Sequence, residues 1–414
     1  MNLPLTDAYL ATMQSRVRQR AQEIVKAVEI NSTRIRSLCQ LAKMDARLGE
    51  VEQAKAYFAR AAAIAAAMPD DRVAAQFSII ATAQANMGLI QDAIASAAQI
   101  EDIGFKSLAL RNIALAQVNG GSIEAADVNA RQIQDIDSRA MILAQVSHAE
   151  ARQNPLAASS INHRNQSVLA LLDQIEWVNG KVDILREVAM GFAAIGNTLF
   201  ALLHLYDAID LIEDVDDDGM KVRQLCRFSR LRGSLLDHRT CDDILSRAMQ
   251  IADAMIIEDD IDTICRDSAY SRILQSWLAV QPDKCGPILE KIQTDEERAS
   301  VLIKLAKHNA RNGNPREAHD LLLQAQWLSL QSKPKQWYVE ALTGIASAYH
   351  LQGNPGETAI NLQIAERAAL NLQHGYPAIR GLCILCQAIT TNPKTTAALT
   401  AVLINNIFTS TSPK

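Results

Sequence analysis

The chain has 414 residues. Its 41 Lys and Arg stand against 46 Asp and Glu, a formal net charge of −5, and it is 49% apolar, 21% charged and 4% aromatic. That balance excludes a disordered chain, which needs fewer apolar and more charged residues. With 17 Gly and 11 Pro, turn residues and large rings are too few for a β-sandwich or propeller. The mild acidity supplies no basic footprint for phosphate neutralisation, so no nucleic-acid partner is expected.

In chain order, Asp7–Ile30 reads as one amphipathic helix that would cap the first helical unit after it. It has charges throughout and no continuous apolar core, so it is not read as a signal peptide. No run approaches a membrane span. The first clear unit is Ile35–Ala61, where Leu38, Leu41 and Ala42 recur at helical spacing, Gly49 stops the helix, and Ala54, Phe58 and Ala61 mark a second one.

The same offsets return at Ala81/Gly88/Ala93, Ala114/Gly121/Ala126, Ala189/Gly196/Ala201, Ala306/Gly313/Ala318 and Ala346/Gly353/Thr358. At Ser147, Asn154 takes the glycine's place, and a positive φ is expected there. Two degenerate copies run through Phe228, Ser229, Cys241 and Ala248, and through Ile273, Cys285 and Ile292. The nine first-helix small positions are spaced by about 38 residues on average. Small side chains there let paired helices approach closely, and stacked pairs supply a core that no single pair has. A last pair is expected at Ala378–Ile389 and Thr395–Ile407.

Leu38-x-x-Leu41-Ala42 with Ala54-x-x-x-Phe58, and Leu342-x-x-Ile345-Ala346-x-x-Tyr349, resemble the tetratricopeptide (TPR) pattern. Gln84 and Gln117 stand where that family usually has Tyr. The resemblance spans about Ile35–Leu372 and implies an all-α, right-handed α-solenoid of about nine helix-turn-helix repeats. The expected organisation is one solenoid over 1–414: a capping helix at 1–34, repeats at 35–372, and a C-terminal cap and tail at 373–414.

Asp214-Val-Asp216-Asp217-Asp218-Gly219 opens like a calcium loop, but Leu225 stands where the bidentate Glu must be. It and Glu258-Asp259-Asp260 with Asp262 are read as helix-capping turns. Cys383 and Cys386 have CxxC spacing without a second ligand pair, so burial is the reading, and neither metal nor cofactor is expected. Seven cysteines in apolar helical patterns fit a reducing, cytoplasmic setting. Trp277, Trp327, Trp337 and Tyr338 either fill gaps in the Ala-rich packing or support self-association.

First helices would line the inner groove. Counting from the small positions, the partner-binding candidates are Arg36, Lys43, Arg47, Asn86, Arg111, Asn119, His148, Arg152, Arg186, Arg223 and Arg230. Only Asp183 opposes them, and His148 with Asp183 is the one pairing that suggests chemistry. Arg binds carboxylates bidentately, and Asn both donates to and accepts from a peptide backbone. The expected function is a non-catalytic scaffold or adaptor holding a protein or acidic peptide. The alternatives are a ligand- or peptide-sensing regulator and a non-catalytic subunit of an enzyme complex.

Overall fold

The computed structural model describes residues 7–231, 235–278, 281–331, 336–371 and 380–384. These residues are all-α. After α1 (Asp7–Ala27) come nine helical hairpins: α2/α3 (Asn31–Arg47, Val51–Ala66), α4/α5 (Asp70–Ala85, Ile90–Ala98), α6/α7 (Ile103–Asn119, Ile123–Arg131), α8/α9 (Ile136–Gln153, Ala158–Leu169) and α10/α11 (Val178–Ala194, Thr198–Asp210) lead. Then follow α12/α13 (Asp218–Ser229, His238–Ala254), α14/α15 (Asp260–Leu278, Cys285–Lys291), α16/α17 (Asp295–Arg311, Pro315–Gln331) and α18/α19 (Gln336–Leu351, Pro355–Leu370).

The twelve-residue spacing holds in eight of the nine hairpins, and the Ser147 copy is two residues longer. Ala42, Ala81, Ala114, Ser147, Ala189, Ser229, Ile273, Ala306 and Ala346 are all buried. Their second-helix counterparts Ala54, Ala93, Ala126, Ile161, Ala201, Cys241, Cys285, Ala318 and Thr358 are buried too. The two degenerate copies therefore keep the register with larger or more polar side chains. At Ser147 the hydroxyl donates to the Ile161 carbonyl at 3.4 Å, which satisfies a polar atom at the crossing.

Six hairpins turn on a glycine at positive φ: Gly49, Gly88, Gly121, Gly196, Gly313 and Gly353. At Gly88 the turn is a Schellman motif, with Gly88 N–H donating to the Ala85 carbonyl (2.9 Å) and Leu89 N–H to the Gln84 carbonyl (3.0 Å). Asn154 corrects the expectation for the Ser147 copy. Its φ is −138° and its ψ 81°, and no non-glycine residue among those described has positive φ. Pro155 follows it, and proline pushes the preceding residue to extended backbone. That turn is two residues longer, so the buried second-helix contact falls at Ile161.

The acidic turns are caps. Asp217 accepts from Met220 N–H at 2.6 Å at the start of α12, and Asp259 from Ile261 and Asp262 N–H at 2.7 and 2.9 Å before α14. Asp102 and Asp135 do the same for α6 and α8. Among the aromatics, Trp277 and Tyr338 are buried, while Trp327 is 61% exposed.

The contacts gather into two compact units. One holds residues 66–291, and the other joins 1–65 to 292–414. In the second, Met13, Val17, Ala21, Ile24, Val25 and Val28 of the α1 segment are buried, and α1 packs on both α2 and α19. Arg18 bonds the fully buried Asp45 of α2 at 2.8 Å, and Arg16 pairs with Glu366 of α19 at 2.7 Å. Cys383 is buried, and its thiol donates to the Gln40 carbonyl at 3.7 Å. Cys386 and most of the expected final pair, 378–389 and 395–407, lie outside the described residues, 380–384 excepted.

Candidate functional site

In the 66–291 unit, successive first helices lie side by side, α6 on α8 and α8 on α10. A cleft of about 490 Å³ lies along these helices. Its walls are Leu115, Val118 and Asn119 from α6 and Gln145, His148, Ala149, Arg152 and Gln153 from α8, with Glu187 of α10 at one side.

Three of the sequence candidates, Asn119, His148 and Arg152, therefore meet in one place. Asn119 and Arg152 are exposed, and Arg152 makes no ion pair among the described residues. His148 donates from Nδ1 to Glu187 Oε2 at 2.9 Å, since an ionised carboxylate only accepts. Glu187 Oε1 accepts from Arg186 at 2.7 Å, Arg186 lies 3.8 Å from Asp183, and Asp183 also accepts from Arg227 of α12. A chain of hydrogen bonds and ion pairs thus runs from α8 through α10 to α12. Burial alone would raise the Glu187 carboxyl, but the His148 hydrogen bond and the Arg186 charge hold it below its ordinary value.

Two expectations are corrected here. His148 pairs with Glu187, not Asp183. Arg186 is not an open groove cation, because two carboxylates engage it and only 13% of its side chain is exposed. Glu187 itself was missed because it lies two residues before Ala189, inside the seam between helices, and its partner is 39 residues away on the preceding hairpin.

The other candidates are dispersed. Arg111, half-buried on α6, does not line the cleft, and Asn86 is exposed at the end of α4. Arg223 borders a separate depression of about 500 Å³ with Arg272, Asp217, Asp218 and Asp262, and Arg230 is exposed at the end of α12. Arg36, Lys43 and Arg47 belong to α2 in the other unit. Burial lowers the Lys43 ammonium, and Arg47 lowers it further. Among the described residues, no group of three His, Cys, Asp or Glu side chains is placed to hold a metal ion, and no helix is long and apolar enough to cross a membrane.

Nine hairpins on a repeating close contact define a TPR-like helical-repeat fold. No family model matches the chain, and a search of curated proteins finds no match. Among solved structures it is similar to the P58(IPK) TPR domain, with 16% identity over 87% of this chain and 99% of that one and a TM-score of 0.18. It is also similar to a circular tandem repeat protein with novel repeat topology, with 12% identity over 97% and 91% and a TM-score of 0.15. Neither superposition says more than the hairpins themselves do.

Proposed function

We propose that this chain is a protein-interaction scaffold that holds an acidic peptide by a carboxylate in the α6/α8/α10 cleft. The observation that carries the reading is the convergence of Asn119, His148, Arg152 and Gln153 on one cleft, with the Arg152 guanidinium uncommitted. A free guanidinium offers a planar fork to a carboxylate. Asn119 and Gln153 can donate to and accept from an extended backbone. The Glu187 contact puts the His148 proton on Nδ1.

Binding is favoured over catalysis because the residues lining the cleft include no Ser, Thr, Cys, Lys or Tyr that could serve as a nucleophile beside His148. The thiols of Cys39, Cys226 and Cys285 lie buried in the helices, which fits a reducing compartment and a cytoplasmic protein.

The test is fluorescence anisotropy with short labelled peptides ending in Asp-Glu, against the same peptides amidated with Asn-Gln. The acidic peptides should bind, and Arg152→Glu should weaken them by about tenfold or more. Equal affinity of acidic and neutral peptides, or indifference to Arg152→Glu, would reject the reading.

A further inference from the structure

Helix α11 carries a second surface of opposite character. Its inward face is Ala201, Leu205 and Ala208, each fully buried. Its outward face holds Leu199 at 77% exposure, Leu203 at 53% and Tyr206 at 49%, with Phe200 at 48% beside them. The spacing i, i+4, i+7 makes this one continuous stripe, the seam along which a second helix packs. Soluble chains rarely leave such a stripe bare without a partner for it.

The same stripe runs on into Asp207 and Asp210, both exposed. Exposed Glu213 and Asp214 follow in the 3-10 turn Leu211–Asp214, and then Asp216, Asp217 and Asp218. Nearby side chains answer only part of this charge. Arg247 of α13 takes Glu213, Lys221 lies 4.0 Å from Asp218, and His204 lies 3.3 Å from Asp207. Asp210, Asp214 and Asp216 make no ion pair among the described residues. The carbonyl end of α11 points the same way, and its dipole adds negative potential there.

We propose that the outward face of α11 docks an amphipathic helix of a partner protein, with leucine-like residues on the stripe and Lys or Arg over the acidic turn at 207–216. The apolar residues supply the contact area, and the carboxylates set the partner's charge and direction.

The experiment uses the full chain and two fluorescein-labelled helical peptides of about 18 residues. Both carry Leu at i, i+4 and i+7. One clusters four Lys at one end, and the other carries Glu in their place. The Lys peptide should bind at least about tenfold more tightly than the Glu peptide and weaken about tenfold between about 50 and about 300 mM NaCl. Leu203→Ser and the pair Asp207→Lys with Asp210→Lys should each cost about tenfold, with circular dichroism unchanged because these side chains are outside the packed face. Equal binding of the two peptides, or binding of neither, would overturn the proposal. So would concentration-dependent self-association that Leu203→Ser abolishes, since the face would then belong to a second copy.

Discussion

Asn129 of α7 donates from Nδ2 to Gln117 Oε1 of α6 at 2.8 Å, and both residues are buried. One hairpin earlier, Ser96 donates to Gln84 Oε1 at 2.7 Å across the same twelve-residue separation. In α10/α11 the equivalent pair is Phe192 against His204, with rings 5.7 Å apart. In α8/α9, whose turn is two residues longer, Arg164 bonds Glu150. The slot where the TPR pattern has an aromatic is therefore filled by a cross-hairpin pair, polar in some repeats and aromatic in others.

Asn129→Ala should destabilise the chain by about 1–3 kcal/mol, because it leaves the Gln117 carbonyl buried and unpaired. Gln117→Met together with Asn129→Leu should recover most of that loss, since neither side then hides an unmet polar group. Urea midpoints of the two singles and the double complete the cycle. Additive losses would show that the pair is not coupled.

Glu187 sets an acid-side dependence. Its folded-state value lies below the ordinary 4.5, because the His148 hydrogen bond and Arg186 outweigh the opposing effect of burial. A depressed carboxylate contributes stability that is full above the unfolded value and is lost as pH falls through the folded one. The Tm gap between the wild-type chain and Glu187→Gln should therefore be widest above about 4.5 and narrow below it. A gap that stays constant from neutral pH down to acid would contradict the pairing.

Arg186 and Arg152 should separate stability from binding. Arg186→Glu sets a third carboxylate beside Asp183 and Glu187 and should lower stability by about 2 kcal/mol or more. Arg152→Glu, exposed and without an ion pair, should change Tm little. Thermal unfolding of both variants checks this, and a harmless Arg186→Glu would mean the charge chain carries no weight.

Two glycines three residues apart should respond with opposite sign. Gly353 has open space around it but φ +69°, so Gly353→Ala should cost about 1 kcal/mol through backbone strain alone. Gly356 lies in the first turn of α19, where a Cβ would sit an ordinary 3.8 Å from Asn354 Oδ1. Gly356→Ala should stabilise by a few tenths to about 1 kcal/mol. The two Tm shifts, measured side by side, test the assignment of the turn.

The hairpins were legible because close helix approach leaves a local signature: a small residue, a glycine seven on, and a second small residue five further. At Ser229 and Ile273 only the overall twelve-residue spacing survives, with Leu236 and Val280 where the glycine would stand. Asn154 misled because the stop position was judged by its own preference, while Pro155 decides its backbone. The cleft was half legible. Asn119, His148 and Arg152 follow from helix geometry. Glu187 and the neutralisation of Arg186 depend on contacts between hairpins about 40 residues apart, which no local pattern encodes. The grouping of residues 1–65 with 292–414 was equally hidden, since its contacts join residues as distant in sequence as Arg16 and Glu366.

That grouping has a consequence for synthesis. The Cys383 contact with Gln40 spans 343 residues of sequence. A ribosome adding about 5–20 residues per second needs roughly 20–70 s to deliver the second partner after the first. Through that interval the side of α1 marked by Arg16 waits without its α19 neighbour. That side of α1 is thus covered only once α19 has been made, and until then it presents an unmatched surface to the translation machinery and its attendant chaperones.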